Sequence, residues 1–260
     1  MTDLAAGASP AERVRARHHG PHPLVLPNVW DPASARTYAA AGFGALATSS
    51  AAVALTLGYA DGQTPGGEML AAAARIARAV DVPVTADIED GYGLAPAELV
   101  SRLLEAGLVG CNLEDSDPAS RTLRDPAAQA DYLASVRQTA GSSLVINARV
   151  DVFIRPLPDG ADAFAEAVRR GRMYLAAGAD CAYPIIAPPD SIAGLVAGIG
   201  GPVNAMWRPG GPTLADLAAA GVARITFGSG LHTQAMTAVR ELADGLAAEA
   251  GDWSGPPQRK

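Results

Sequence analysis

Acidic side chains follow several short apolar runs of this chain. Asp87 and Glu89 come directly after the run 82–86, Glu114 follows the run 109–113, and Arg149 follows the run 144–148. If these runs are neighbouring parallel strands, the polar residues at their carboxyl ends converge on one site, and strand alternation puts Asp87 and Glu89 on one face. Carboxylate oxygens with several waters suit Mg²⁺, and a guanidinium binds a carboxylate. The spacing predicts a Mg²⁺ or Mn²⁺ site at Asp87, Glu89 and Glu114 that takes a small carboxylate substrate.

The distribution of lysine and histidine excludes several kinds of catalysis. The only lysine is the terminal Lys260, and His18, His19 and His22 all precede the first apolar run, which leaves His232. A Schiff-base aldolase or a pyridoxal phosphate enzyme requires an interior lysine. A Ser-His-Asp triad or a multi-histidine zinc site would have to combine His232 with the N-terminal histidines. The remaining chemistry is that of carboxylates, arginines, hydroxyls and a hard cation.

The elements that must position these residues are eight short apolar runs separated by helix-like segments. Their continuous apolar character is typical of parallel strands that are covered on both faces. The runs are 24–26, 45–48, 82–86, 109–113, 144–148, 180–186, 202–205 and 223–227. Eight β-α units in about 230 residues favour a (β/α)8 TIM barrel over an open doubly wound sheet, which stays the alternative. We expect an N-terminal extension (1–22), a barrel domain (23–250) and a tail (251–260).

Composition and charge restrict the partners. The 260 residues carry a formal net charge of −7, and no basic patch or tail is present. This argues against a nucleic acid or an anionic membrane as partner. The opening residues lack the apolar core of a signal peptide, and no run of about 18 apolar residues suggests a membrane span. We therefore expect a cytoplasmic enzyme of small soluble substrates.

The order of these motifs resembles that of the isocitrate lyase and phosphoenolpyruvate mutase superfamily, over roughly residues 25–238. The segment Asp87-Ile88-Glu89-Asp90-Gly91-Tyr92-Gly93 resembles the superfamily's metal-binding signature. By the same resemblance, Glu114 is the third metal-associated acid and Arg149 binds the substrate. The resemblance also implies site residues on other loops, namely the carboxylate-binding loop Ser49-Ser50-Ala51, the site aspartate Asp61 and the polar residue Asn204.

The resemblance implies an enzyme that stabilises an enolate on Mg²⁺ or Mn²⁺, with Asp61, Glu114 and Arg149 as catalytic residues. It also implies a homo-oligomer, a dimer or a tetramer, in which the eighth helix is swapped between subunits. Residues 233–248 are the segment that would supply this helix. Separately, Trp30 and Asp31 follow the first apolar run and are candidates either for the substrate-binding floor of the pocket or for a helix cap.

The sequence departs from the superfamily pattern in two places. The lyases carry Lys-Cys-Gly-His on a mobile loop, and phosphonopyruvate-processing members use Lys and Asn there, whereas the loop 116–125 has none of these residues. Ile185 or Ile186 also stands where the lyases have a glutamate. The first hypothesis is therefore a lyase that cleaves a C–C bond of a small 2-oxo or 2-hydroxy acid. The alternatives are a mutase or hydrolase of a P–C bond, or a non-catalytic barrel that binds a carboxylate.

Overall fold

A computed structural model describes residues 7–157 and 160–251 of the chain. Its strands are short, and every pairing between them is parallel. In chain order they are β1 (Leu24–Val25), β2 (Asn28–Val29), β3 (Leu46–Thr48), β4 (Val84–Asp87), β5 (Gly110–Glu114), β6 (Val145–Val150), β7 (Cys181–Pro184), β8 (Asn204–Met206) and β9 (Arg224–Thr226).

The strands form two sheets that join into one barrel. Strands β2 to β7 pair in chain order, and the second sheet has the order β1-β9-β8. A bridge between Ala182 and Val203 links β7 to β8. Only Leu26 and Pro27 separate β1 from β2, and Pro27 has no N–H to donate to a ladder. Strands β1 and β2 thus count as one interrupted barrel strand, and the predicted (β/α)8 fold is confirmed.

Each predicted run contains or overlaps a strand, but the boundaries differ by a few residues. Strands β4, β5 and β6 continue into the polar residues Asp87, Glu114 and Arg149, because ladder hydrogen bonds depend on the backbone and not on side-chain polarity. At β7 the run predicted to reach residue 186 ends at Pro184, and Ile186 has a left-handed backbone with φ 56°. Three of the predicted site residues, Asp87, Glu114 and Arg149, therefore lie within strands.

Helices follow the barrel strands and pack around them. The described residues contain α1 (Pro10–Arg17), α2 (Pro32–Ala40), α3 (Ser50–Leu57), α4 (Gly66–Ala77), α5 (Pro96–Glu105), α6 (Pro126–Ala140), α7 (Ala163–Ala176), α8 (Ile192–Ile199), α9 (Leu214–Ala219) and α10 (Gly230–Ala250), with a 3₁₀ turn at Pro189–Ser191. Side chains cap several of the helix N-termini, as Asp31 does for α2 and Ser49 for α3. None of the described helices is long and apolar enough to cross a membrane.

The predicted N-terminal extension contains α1, which packs on the barrel. Ala11 and Val14 are buried in a cluster with Leu24 and Val145. The guanidinium of Arg15 binds Asp180 at 2.6 Å and the carbonyl oxygen of Leu144 at 2.6 Å. These contacts join α1 to the segments at the start of β6 and β7, opposite the end where β4, β5 and β6 carry their acids. Residues 1–6 of the predicted extension and residues 252–260 of the predicted tail lie outside the described residues.

Candidate active site

A polar pocket opens at the carboxyl ends of the barrel strands. It brings together eight of the predicted site residues: Ser49, Ser50, Ala51, Asp61, Asp87, Glu89, Glu114 and Arg149. The rest of its lining comes from the surrounding loops and from β8, namely Gly62, Gln63, Pro118, Arg121, Ile154, Arg155, Ile185, Ile186, Met206, Gly228 and Ser229. Residues at or after the carboxyl ends of seven strands, β3 to β9, therefore share one cavity.

Asp87 is fixed between β3 and the start of α3. Its Oδ2 accepts hydrogen bonds from the Ser50 hydroxyl at 2.8 Å and the Ser50 N–H at 3.3 Å, and its own N–H donates to the Thr48 hydroxyl at 2.9 Å. Ser49 caps α3, because its Oγ accepts from the Ala52 N–H at 3.3 Å. The Ser50 hydroxyl thus already donates its proton, whereas the Ser49 hydroxyl accepts a bond and keeps its proton for another acceptor. The N-terminus of α3 still presents its positive dipole end to the pocket.

Glu89 reaches the pocket by a different route from the one predicted. Strand β4 ends at Asp87, and Glu89 has φ 52°, so strand alternation is not what places the two acids together. Oδ1 of Asp87 and Oε1 of Glu89 are both buried and have no hydrogen-bond partner. Burial, with the nearby charges of Asp87 and Asp61, raises the pKa of Glu89 to about 7. These two carboxylates lack the positive charge that would balance them.

Glu114 and Arg149 form an ion pair at the centre of the site. Nη1 of Arg149 lies 2.7 Å from Oε2 of Glu114, and its Nε and Nη2 donate to the two oxygens of Asp151 at 2.7 and 3.1 Å. Two carboxylates therefore neutralise and orient this guanidinium. Burial raises the pKa of Glu114 in spite of Arg149, since Asp151 and Asp87 lie close.

A buried polar layer supports this ion pair from behind. Asp151 accepts the hydroxyl hydrogen bond of Ser116, and its N–H donates to Asp115 at 2.8 Å. Asp115 in turn binds Arg170 at 2.8 Å and the Tyr174 hydroxyl at 2.7 Å. Asp115 thus has a supporting role, and its carboxylate does not face the substrate pocket.

Backbone strain is concentrated at the pocket. Among the described residues, the non-glycine positions with positive φ are Glu89, Tyr92, Arg121 and Ile186. Three of them, Glu89, Arg121 and Ile186, line the pocket. A positive φ is costly for a β-branched residue such as Ile186, and such conformations cluster where function requires a fixed geometry. The strain is thus a second, independent reason to treat this cavity as the candidate active site.

Three predicted substrate-binding residues lie outside this pocket lining. The carboxylate of Asp31 accepts from the Ser34 N–H at 2.7 Å and caps α2, and Trp30 packs edge-on against His232 with ring centroids 5.0 Å apart. Asn204 is buried, accepts from the Thr226 hydroxyl at 3.2 Å and lines a neighbouring apolar pocket. In this structure Asp31 therefore caps a helix, and Trp30 packs against a neighbouring ring.

The donor set suits a hard cation, although the three predicted acids do not stand as a ready-made ligand cage. Asp87 and Glu89 each have a buried carboxylate oxygen without a hydrogen-bond partner. A divalent cation would supply the missing partner of both oxygens. One oxygen of Glu114 is taken by Arg149. Within 7–157 and 160–251, no group of three His, Cys, Asp or Glu side chains is placed to hold a metal. The residues fit a cation held by Asp87, Glu89 and water, and the participation of Glu114 stays a prediction.

Comparison with known proteins identifies the family. The sequence profile described as phosphoenolpyruvate phosphomutase matches residues 14–247. The chain belongs to this family. An uncharacterised protein of Mycobacterium tuberculosis is 37% identical over 236 residues, which cover 88% of each chain. The 2-methylisocitrate lyase of Bacillus subtilis is 30% identical over 184 residues, which cover 67% of this chain and 59% of the lyase.

Solved structures of this phosphomutase family and its superfamily share the barrel. A Burkholderia cenocepacia protein provisionally named a phosphonomutase has a TM-score of 0.84 and 42% identity, with 91% of this chain and 100% of the other covered. A 2,3-dimethylmalate lyase has a TM-score of 0.80 and 27% identity, with 97% and 90% covered. The resemblance to the isocitrate lyase and phosphoenolpyruvate mutase superfamily is confirmed, and this superfamily contains both lyases and mutases.

Several pocket residues of this phosphomutase family member were missed by sequence reasoning. Arg155 and Ile154 follow β6, Gln63 lies in the loop between α3 and α4, and Met206 ends β8. Arg155 carries the strongest missed signal, because it lies only six residues after Arg149 in a loop at the same strand end. A loop's path is not visible in the sequence, so its inward-facing residues could not be separated from its exposed ones.

Proposed function

We propose that this protein is a Mg²⁺-dependent lyase that cleaves a C–C bond of a small 2-oxo or 2-hydroxy carboxylic acid. The observation that carries the proposal is the pair of buried, unpartnered oxygens of Asp87 and Glu89 beside the Glu114–Arg149 ion pair. Two acids without a balancing charge suit a divalent cation, and the neighbouring cationic groups suit a carboxylate. A 2-oxo or 2-hydroxy acid has both of the groups that would bind there, an oxygen for the cation and a carboxylate for the cationic groups, on adjacent carbons.

The proposed roles follow from what each group is free to do. The Ser50 hydroxyl and the N–H groups of Ser50 and Ala52 are engaged, so the Ala51 N–H and the hydroxyl proton of Ser49 hold the substrate carboxylate at the N-terminal end of α3. Arg149, oriented by Asp151, stabilises negative charge that develops on the substrate. Mg²⁺ held by Asp87 and Glu89 would polarise the oxygen next to the carboxylate, which would lower the pKa of a 2-hydroxyl group or the energy of an enolate formed from a 2-oxo acid.

Two carboxylates are available for proton transfer. Asp61 lines the pocket from an exposed loop position, and Glu114 contacts Arg149 at the centre. In the cleavage of a 2-hydroxy acid, one of them accepts the hydroxyl proton while the C2–C3 bond breaks and its electron pair stays on the departing carbon. That carbon then takes up a proton from the site.

A second candidate function is cleavage or migration of a P–C bond. The observation that favours it is the 42% identity to the Burkholderia cenocepacia protein named above, together with the family profile itself. Against it stands the loop 116–125, which lacks the lysine and asparagine that the phosphonopyruvate-processing members use. The same loop also lacks the Lys-Cys-Gly-His segment of the lyases, so the loop alone does not separate the two functions.

Product analysis separates these functions. Purified protein with Mg²⁺ is incubated with a panel of malate-type acids, 2-oxo acids and phosphonates, and products are identified by mass spectrometry. We expect a 2-oxo acid from one malate-type acid, and we expect Asp87→Asn to abolish its release. Release of phosphate or a rearranged phosphoester would establish the second candidate instead. Turnover that is unchanged in EDTA or in Asp87→Asn would contradict the proposal.

A further inference from the structure

Two arginines of the pocket, Arg155 and Arg121, have no carboxylate partner among the described residues. Arg155 is half-buried, and within the described part of the chain its side chain makes one hydrogen bond, from Nε to the Ser116 hydroxyl at 2.8 Å. Arg121 lies exposed at the tip of the loop after β5, and none of the described side chains pairs with its guanidinium. Both residues line the same cavity as the acids. This side of the cavity therefore has two positive charges that no described carboxylate balances.

The contrast with Arg149 shows that these charges are unusual for the site. Glu114 and Asp151 contact all three nitrogens of Arg149 and balance its charge, and one N–H on each terminal nitrogen is left for the substrate. Both terminal nitrogens of Arg155 remain open, while its Nε is anchored to a hydroxyl that Asp151 also binds. An anchored guanidinium with two open nitrogens is suited to bidentate binding of a planar anion.

The position of the two arginines separates them from the proposed carboxylate site. That site lies at α3, which follows β3, whereas Arg121 follows β5 and Arg155 follows β6. Strands β3 and β6 lie three places apart in the sheet order, so the two sites face each other across the pocket mouth. The apolar residues Ile185, Ile186 and Met206 belong to the lining of the same cavity. A ligand that spans the pocket thus needs an anion at each end and a carbon chain between them.

We infer that Arg155 and Arg121 form a second anion subsite, which binds the distal carboxylate of a dicarboxylate substrate. This inference rests on the proposed function and makes the substrate class narrower: a malate-type 2-hydroxy or 2-oxo dicarboxylate, not a monocarboxylate. The α3 end and the metal-binding acids take the C1 carboxylate and the 2-oxygen. Arg155 then holds the C4 carboxylate and orients the bond between C2 and C3.

Calorimetry with a matched pair of ligands tests the subsite. Malate and lactate share the 2-hydroxy carboxylate, and malate alone has a second carboxylate. In the presence of Mg²⁺ we expect malate to bind the wild type about tenfold more tightly than lactate, or better. Arg155→Gln and Arg121→Gln should each remove most of this preference and leave lactate affinity within about twofold. Arg121→Gln alters an exposed side chain, so its result does not depend on the packing around Ser116.

The outcomes of this experiment separate the subsite from the proposed function. Arg102→Gln, which changes an exposed ion pair on α5, is the control and should bind both acids like the wild type. Equal binding of malate and lactate to the wild type overturns the subsite and leaves the proposed function intact. Absence of binding by either acid overturns both. Tighter binding of 2-hydroxy-3-phosphonopropanoate than of malate, lost in Arg155→Gln, would assign the subsite to a phosphonate and overturn the carboxylate assignment.

Discussion

Arg149 is the residue whose surroundings best explain its role. It reaches Glu114 and both oxygens of the fully buried Asp151 with three separate nitrogens. A lysine is a point charge and cannot satisfy two carboxylates in this geometry. We expect Arg149→Lys to reduce the free energy of unfolding by about 1.5–3 kcal/mol, the cost of a lost hydrogen bond to a charged group. Urea unfolding measures this, with Arg102→Lys as the control, and equal stability of Arg149→Lys and wild type would contradict it.

His18 makes stability depend on pH. Burial, with the nearby charge of Arg224, lowers the pKa of His18 to about 4, whereas an unfolded histidine titrates near 6.5. Between about pH 4 and pH 6.5, His18 is therefore protonated in the unfolded chain and neutral in the folded chain. Stability therefore falls as pH drops from about 6.5 to about 4, by up to about 1.4 kcal/mol per unit, and this group costs nothing above 6.5.

Urea unfolding at pH 7.5 and pH 5 checks this prediction for His18. We expect His18→Phe to lose less stability over this interval than the wild type does, since phenylalanine does not titrate. His19→Gln is the matched control, because His19 is exposed and its replacement should leave the pH dependence unchanged. An identical loss of stability in His18→Phe and wild type would show that His18 is not the responsible group.

At the residue scale, the sequence predicts the strand-end side chains well and the loop side chains poorly. Asp87, Glu114 and Arg149 end parallel strands, so fold geometry alone brings them together. The left-handed backbone of Glu89 depends on tertiary packing, which no local pattern reveals. Nothing in the sequence immediately around Arg155 distinguishes it from the arginines of this chain that are exposed to solvent. Its placement in the pocket could not be read from spacing.

At the scale of elements, the loop between β5 and α6 sets the chemistry that is available. Ser116 and Leu123 form an antiparallel bridge, and the Asp117 N–H donates to the Thr122 carbonyl at 2.8 Å. The carboxylate of Asp117 accepts from the Ser120 N–H at 2.7 Å. The loop thus closes on itself as a short turn. It offers no cysteine, histidine or lysine that could act as a general acid near neutral pH.

We therefore expect slow cleavage of isocitrate and 2-methylisocitrate. A positioned general acid contributes about 10²–10⁴-fold to rate, so turnover should lie that far below a typical enzyme value of roughly 10 s⁻¹. A coupled assay for glyoxylate and pyruvate release with Mg²⁺ measures this, and the reaction found in the product screen is the positive control. Turnover near 10 s⁻¹ on either substrate would mean that another group supplies the proton.

At the scale of the whole molecule, the hydrophobic pattern was sufficient to predict the barrel, since eight apolar runs alternate with helix-like segments along the chain. It was not sufficient to predict how the last helix packs. In α10 only His232 is buried among the described residues, while Met236, Val239, Leu242 and Leu246 are exposed. Their spacing of three or four residues places them along one side of the helix. An apolar face of this kind is typical of a protein–protein contact.

This exposed face supports the prediction of a homo-oligomer in which α10 packs on a second copy of the chain. We expect light scattering at micromolar concentration to give the mass of a dimer or a tetramer. The double variant Leu242→Glu, Leu246→Glu should dissociate, because it places charges in the apolar face. Asp244→Ser changes the other side of the helix and should leave the mass unchanged. A monomeric wild type would contradict the prediction.

The most direct test of the central claim is calorimetric titration of the metal-free protein with Mg²⁺ and Mn²⁺. The account holds that the unpartnered oxygens of Asp87 and Glu89 bind a divalent cation, on which the proposed lyase reaction depends. It predicts one binding event per chain in the wild type, at least about tenfold weaker binding in Asp87→Asn, and unchanged binding in Asp131→Asn, a surface control on α6. Equal metal affinity in Asp87→Asn and wild type would contradict the account.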